Sequence, residues 1–169
     1  MNFIEVKDVV KQYDGHRALD HVTLDVGEGQ VYGLLGPNGA GKTSLIRILN
    51  HITSPDSGEV YLAGKPLTAS EVRHIGYLPE ERGLYKKMKV LDQIVYLGRL
   101  KGMSKNDART SALRWLERFE LTEWSNRKIE TLSKGMAQKV QFISTVVPSP
   151  RLLILDEPFS GFDPVNTEQ

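Results

Sequence analysis

The stretch Leu34-Leu35-Gly36-Pro37-Asn38-Gly39-Ala40-Gly41-Lys42-Thr43-Ser44 decides the fold. Gly36, Gly41, Lys42 and Thr43 fit G-x-x-x-x-G-K-[ST], the phosphate-binding loop. An apolar run, Val31 to Leu35, precedes the loop and is predicted to be a buried strand. Leu45, Ile48, Leu49 and Ile52 follow it at the spacing of one helix face. A glycine-rich turn between strand and helix is the setting this motif requires. Gly36, Gly39 and Gly41 permit backbone angles closed to other residues and let N–H groups approach oxygen closely. Together with the helix N-terminus, those N–H groups make a concave anion site. The candidate nucleotide-binding residues here are Gly36, Pro37, Asn38, Gly39, Ala40, Gly41, Lys42, Thr43 and Ser44. Lys42 has the reach for the β- and γ-phosphates, and the Thr43 hydroxyl can bind Mg²⁺.

The 169 residues allow one domain with a subdomain and a sizeable core. Lys and Arg number 22 against 21 Asp and Glu, so no global field points to nucleic acid or an anionic membrane. The short run Lys86-Lys87-Met88-Lys89 is expected to be a solvated loop face. There is no cysteine, which excludes a disulfide framework and thiol chemistry. The N-terminal residues alternate like a strand and lack the apolar core of a signal peptide. No apolar run is long enough to span a bilayer. Any membrane role is therefore expected to come through a partner.

Along the chain, residues 2–10 and Val22 to Val26 alternate as half-buried strands, with a turn at Gly27-Glu28-Gly29. Ser54-Pro55-Asp56-Ser57-Gly58 breaks the chain after the first helix, and Glu59 to Leu62 alternates again. A short helix is expected over Ala69 to His74, then a strand over Ile75 to Leu78. Alternating strands early and continuous apolar ones later predict an antiparallel layer beside a mainly parallel core.

From Glu80 to Leu132 the pattern is helical. Leu91, Ile94 and Val95 share a face. Ser104 is a predicted N-cap with Asp107 in the capping-box place, and Ala108, Ala112, Trp115, Leu116 and Phe119 form a stripe. Trp115 and Trp124 are expected to pack in the core. Another helix starts near Gly135, with Met136, Val140, Ile143 and Val147 on one side, and Pro148 and Pro150 stop it. Leu152 to Leu155 is predicted to be a buried parallel strand that delivers Asp156 and Glu157 at its C-terminal end, where open α/β sheets place ligands.

Leu152-Leu153-Ile154-Leu155-Asp156-Glu157-Pro158 resembles a Walker B strand. Asp156 is placed to hold Mg²⁺ and Glu157 to polarise an attacking water; phosphoryl transfer needs such positioning and charge neutralisation above all. Leu132-Ser133-Lys134-Gly135-Met136-Ala137-Gln138-Lys139 resembles the Leu-Ser-Gly-Gly-Gln signature of ATP-binding cassette (ABC) ATPases, and Ser160-Gly161-Phe162-Asp163 resembles their D-loop. The chain is therefore identified as resembling that family over its whole length. Lys134 and Met136 depart from the commonest signature. With Gly76-Tyr77-Leu78-Pro79-Glu80-Glu81-Arg82-Gly83-Leu84-Tyr85, the wording is similar to the NatA-like, ABC-2 type exporter ATPases.

The resemblance implies an α/β P-loop NTPase fold: a RecA-like, mainly parallel core sheet, an antiparallel β layer and an α-helical subdomain. The core and β layer are expected over residues 1–80 and 136–169, and the helical and signature subdomain over 81–135. The cofactors implied are ATP and Mg²⁺. Catalytic roles fall to Glu157 and Lys42; Tyr13 stands where the family stacks an aromatic ring on adenine; Thr43, Asp156 and Glu80 would serve the metal. Glu80 occupies the place of the family's Q-loop glutamine, adding a charge and removing an amide donor. In the family two cassettes meet head to tail, so Ser133 and the Gly135 amide would face the partner's nucleotide; a plain Ser N-cap satisfies the same sequence. The partners implied are a second ATPase subunit, in a homo- or heterodimer, and an integral membrane permease, with no nucleic acid. The location implied is cytoplasmic, peripheral on the inner face of the cell membrane.

The family also has a histidine beyond the Walker B glutamate. His16, His21, His51 and His74 all precede Asp156, and the sequence runs twelve residues past Glu157. The sequence is thus read as the N-terminal portion of a cassette, expected to bind ATP weakly, to hydrolyse it poorly and to expose an unpaired sheet edge. The main expectation is the energy-coupling subunit of an exporter. A soluble ABC ATPase acting on ribosomes or DNA, and a non-catalytic nucleotide-binding remnant, are the alternatives.

Overall fold

A long antiparallel hairpin begins the chain. In the computed structural model, which describes residues 2–80 and 83–157, β1 (Asn2–Tyr13) turns through Asp14 and Gly15 into β2 (His16–Gly27). β3 (Ser57–Leu62) pairs with the other edge of β1, and the two-residue β4 (Lys65–Pro66) closes a hairpin on β3. The sheet is wholly antiparallel, in the order β2-β1-β3-β4. Alternation at the start of β1 buries Ile4 and Val6 while Lys7 stays exposed. Phe3 is also buried, and a register shift between Val6 and Val9, with Asp8 exposed at φ +53°, interrupts the predicted alternation and buries Val9 instead. These elements, with helix α1 (Lys42–Leu49), form the first of two compact units, residues 1–72.

Two sequence expectations fail in this unit. Val31 to Leu35 forms no strand: Val31 is 101% exposed and Leu35 92%. A buried parallel strand needs hydrogen-bonding neighbours and covered faces, and among the described residues no strand pairs with 31–35. Ile52 lies outside the predicted helix face and is exposed, because α1 ends at Leu49 with Asn50 as its C-cap and His51 turns to φ +55°. Asn50 closes that end: its side-chain amide donates to the Ile46 carbonyl at 2.9 Å.

The second unit spans residues 73–169. A short 3-10 turn over Glu71–His74 leads into β5 (Ile75–Leu78), which pairs in parallel with β6 (Leu152–Leu155). α2 (Val90–Leu100), α3 (Lys105–Arg118) and α4 (Lys134–Val146) make its helical part. Leu91, Ile94, Leu116, Val140, Ile143 and Val147 sit in one apolar core, with Trp115 and Trp124 packed against it as expected. Trp115, Phe119 and Phe142 cluster in tilted and edge-on contacts with centroids 5.7–6.3 Å apart. α3 starts where predicted: Ser104 Oγ accepts from the Asp107 amide at 3.1 Å and donates to its carboxylate at 2.6 Å. β6 is parallel as predicted but not buried, since Leu153 and Leu155 are exposed. β5 pairs along one edge of β6, and no described strand lies along the other.

Candidate nucleotide-binding site

In the first unit, Gly41 sets the loop against β2. It caps α1 with φ +87°, a left-handed angle that suits glycine. A Cβ there would stand 2.2 Å from the Ala18 carbonyl oxygen and 2.9 Å from Leu19 Cδ2. Only a residue without a side chain lets the helix N-terminus sit so close to the strand. The Ala40 amide donates to the Pro37 carbonyl at 3.2 Å, closing a turn, and the Leu45 amide begins the helix by donating to Gly41 at 2.9 Å. The amides of Gly41, Lys42, Thr43 and Ser44 have no acceptor among the described residues, as the first turn of a helix dictates. The cap carries no side-chain hydrogen bond and the first turn no acid, so the helix end keeps its positive pole unneutralised. Lys42 adds an ammonium that donates to the carbonyls of Gly36 and Pro37, the latter at 2.9 Å. Thr43 is exposed and Ser44 half-buried. Gly36, Pro37, Asn38, Gly39 and Ala40 all lie on the surface.

Tyr13 closes β1 and is 39% exposed, with the Lys11 ammonium 5.6 Å from its ring centroid. It is a partly exposed aromatic ring in the same unit as the loop.

In the second unit, the parallel register Leu78↔Leu155 brings Glu80 and Asp156-Glu157 out of the same end of β5 and β6. The Asp156 amide continues the ladder to the Leu78 carbonyl at 2.9 Å. Its carboxylate accepts from the Tyr77 hydroxyl at 3.1 Å, a contact the sequence reading missed. A polar tip on an otherwise apolar strand beside the acid is the signal that marks Tyr77 in retrospect. Glu157 is exposed with φ +50°. Glu80 is exposed, and the Gln141 side-chain amide donates to the preceding Pro79 carbonyl at 3.3 Å. Ser133 caps α4 by accepting from the Met136 amide at 3.2 Å, and Gly135 lies exposed in its first turn with open space where a Cβ would be. Ser160, Gly161, Phe162 and Asp163 lie outside the described residues.

The hydroxyl of Thr43 and the carboxylates of Asp156 and Glu80 are hard oxygen donors, the kind Mg²⁺ takes. Among the described residues no three His, Asp or Glu side chains gather as a ready metal cage. Mg²⁺ commonly sits on one or two protein ligands plus substrate phosphates, and each of these oxygens taken singly is a donor of that kind.

Residues 19–160 match the ABC transporter family. The chain belongs to the ABC transporter ATP-binding family. It is 52% identical over 165 residues to the uncharacterized ABC transporter ATP-binding protein YhaQ of Bacillus subtilis, covering 98% of this chain and 55% of that one. It is 36% identical over 169 residues to the daunorubicin/doxorubicin resistance ATP-binding protein DrrA of Streptomyces peucetius, covering 98% of this chain and 51% of that one. The fold is similar to a solved ATP-binding cassette of an ABC transporter, MJ1267 in its ADP conformation: TM-score 0.83, 27% identity, 98% of this chain and 72% of that one. The chain thus spans about half the length of these curated relatives. With the antiparallel sheet, the parallel pair and the loop before α1, it carries the P-loop NTPase fold of a cassette. Among the described residues no helix is long and apolar enough to cross a membrane.

Proposed function

We propose that the loop from Gly36 to Ser44 holds the phosphates of ATP. The observation that carries this reading is the N-terminus of α1: four amides without acceptors among the described residues, a left-handed Gly41 and an adjacent Lys42 ammonium. Such an array binds an oxyanion through N–H donors and a favourable dipole. Lys42 would exchange its loop carbonyls for phosphate oxygens. Tyr13 would stack on the base. Thr43, Asp156 and Glu80 would serve Mg²⁺, which when bound neutralises phosphate charge.

In the whole protein, Glu157 would orient and polarise the water that attacks the γ-phosphorus. Ser133 and the Gly135 amide would meet the nucleotide of a second cassette. The membrane-facing role is that of an exporter's energy-coupling subunit, working on a separate permease from the cytoplasmic side. The wording Leu132-Ser133-Lys134-Gly135-Met136 and the likeness to DrrA support that direction. Residues 1–80 with 136–169 would form the nucleotide-binding core, and 81–135 the helical subdomain. The test is Glu157→Gln in the whole protein. The variant is expected to retain ATP and lose turnover; phosphate release at the parental rate would remove Glu157 from this role.

A further inference from the structure

Among the described residues of the second unit, three polar side chains are buried: Gln93 on α2, and Gln141 and Ser144 on α4. Ser144 bonds within its own helix, its hydroxyl donating to the Val140 carbonyl at 2.8 Å. Both glutamines instead reach backbone on either side of Glu80. Gln141 Nε2 donates to the Pro79 carbonyl at 3.3 Å, and Gln93 Oε1 accepts from the Tyr85 amide at 2.8 Å. The partners fix both side-chain orientations, since a carbonyl only accepts and a backbone amide only donates.

Stability alone does not account for Gln93. Val90 and Ile94 of the same helix are fully buried, and so is Gln93, yet its Nε2 has no partner among the described residues. A buried donor without an acceptor costs free energy that an apolar side chain of the same shape would not. What the amide adds is a hold on the Tyr85 backbone. Gln141 acts where the β5 ladder runs out. The Leu78 carbonyl goes to the Asp156 amide, and the next carbonyl, Pro79, goes to Gln141. Glu80 follows directly and is exposed.

We propose that Gln93 and Gln141 are positioning residues for Glu80, acting through the backbone at Tyr85 and Pro79. The proposal rests on the reading of Glu80 as a residue that serves Mg²⁺. Held at both ends, the segment that carries the carboxylate has less freedom to lose when the ion binds.

The experiment is calorimetric titration of the purified chain with ATP, once with Mg²⁺ and once with EDTA. The ratio of the two affinities reports the metal's share. Methionine keeps the length of glutamine and removes both polar atoms. Gln93→Met and Gln141→Met, checked for native circular dichroism, are each expected to lower that ratio about tenfold, as the loss of an outer partner does at metal sites. Both are expected to leave the affinity in EDTA unchanged. With no nucleotide present, hydrogen exchange at the Tyr85 amide is expected to speed up in Gln93→Met. Ser144→Ala, a change in the same core, is expected to leave the ratio as it was. A parental ratio in either methionine variant, beside a lowered one in Glu80→Ala, would overturn the positioning proposal and leave Glu80 with the metal. A parental ratio in Glu80→Ala would overturn both. An equal loss in Ser144→Ala would assign the effect to the core and overturn the positioning roles.

Discussion

Gly41 approaches β2 so closely that a Cβ on it would stand 2.2 Å from the carbonyl oxygen of Ala18. Gly39, two residues earlier, has nearly the same left-handed φ, +83°, but open space around its missing side chain. The pair separates two physical effects. Gly39→Ala carries only the left-handed penalty, about 1–2 kcal/mol. Gly41→Ala adds overpacking against the strand, for a sum of roughly 2–5 kcal/mol. Urea unfolding of the two variants measures both. Equal losses would show that the approach of α1 to β2 adds nothing.

Ser133 has a role that stability reports without any nucleotide. Its hydroxyl satisfies the Met136 amide at the start of α4, whose Val140 and Ile143 are fully buried. Ser133→Ala is expected to cost about 1 kcal/mol, and Ser133→Asp, which supplies another capping oxygen, to recover most of it. Urea midpoints decide this. An unchanged midpoint in the alanine variant would mean that the cap contributes nothing.

Two groups give stability a pH dependence of known sign. The Gln12 amide, at 2.6 Å, and the Lys11 ammonium, at 2.9 Å, hold the Asp56 carboxylate below its ordinary range. The folded state prefers the charged form, so this contribution is present above the ordinary carboxylate value and fades as pH falls through the lowered one. Lys101 shifts the other way for a base: burial lowers it, and its ammonium donates to the Ile75 carbonyl at 2.9 Å. Between its lowered value and the ordinary one near 10.5 the unfolded chain binds more protons, so stability rises with pH there. Thermal melts across both windows are expected to lose the acid slope in Asp56→Asn and the alkaline slope in Lys101→Met. Slopes that persist in the variants would assign the effect elsewhere.

Local chemistry made much of this molecule legible in advance. The caps at Ser104 and Ser133, the strand Ile75–Leu78 and the end of α4 before Pro148 follow from neighbours within a few residues, and the structure places them accordingly. The segment Val31–Leu35 did not follow. Four apolar side chains around Gly33 state a preference for burial, but a parallel strand is completed by neighbours distant in sequence, and no described strand supplies them. Leu152–Leu155 shows the same limit: its parallel strand was readable, its neighbour β5 and its open faces were not. The Tyr77–Asp156 contact bridges 79 positions and had no local signal beyond an odd hydroxyl in an apolar strand.

The central claim is that the end of α1 and Lys42 bind the phosphates of ATP, and calorimetric titration of the purified chain with Mg-ATP tests it most directly. A saturable single-site isotherm is expected, weakened about ten- to a hundredfold by Lys42→Ala, the loss of one or two charge-assisted hydrogen bonds. An isotherm that shows no saturable binding, or one that Lys42→Ala leaves unchanged, would contradict the account.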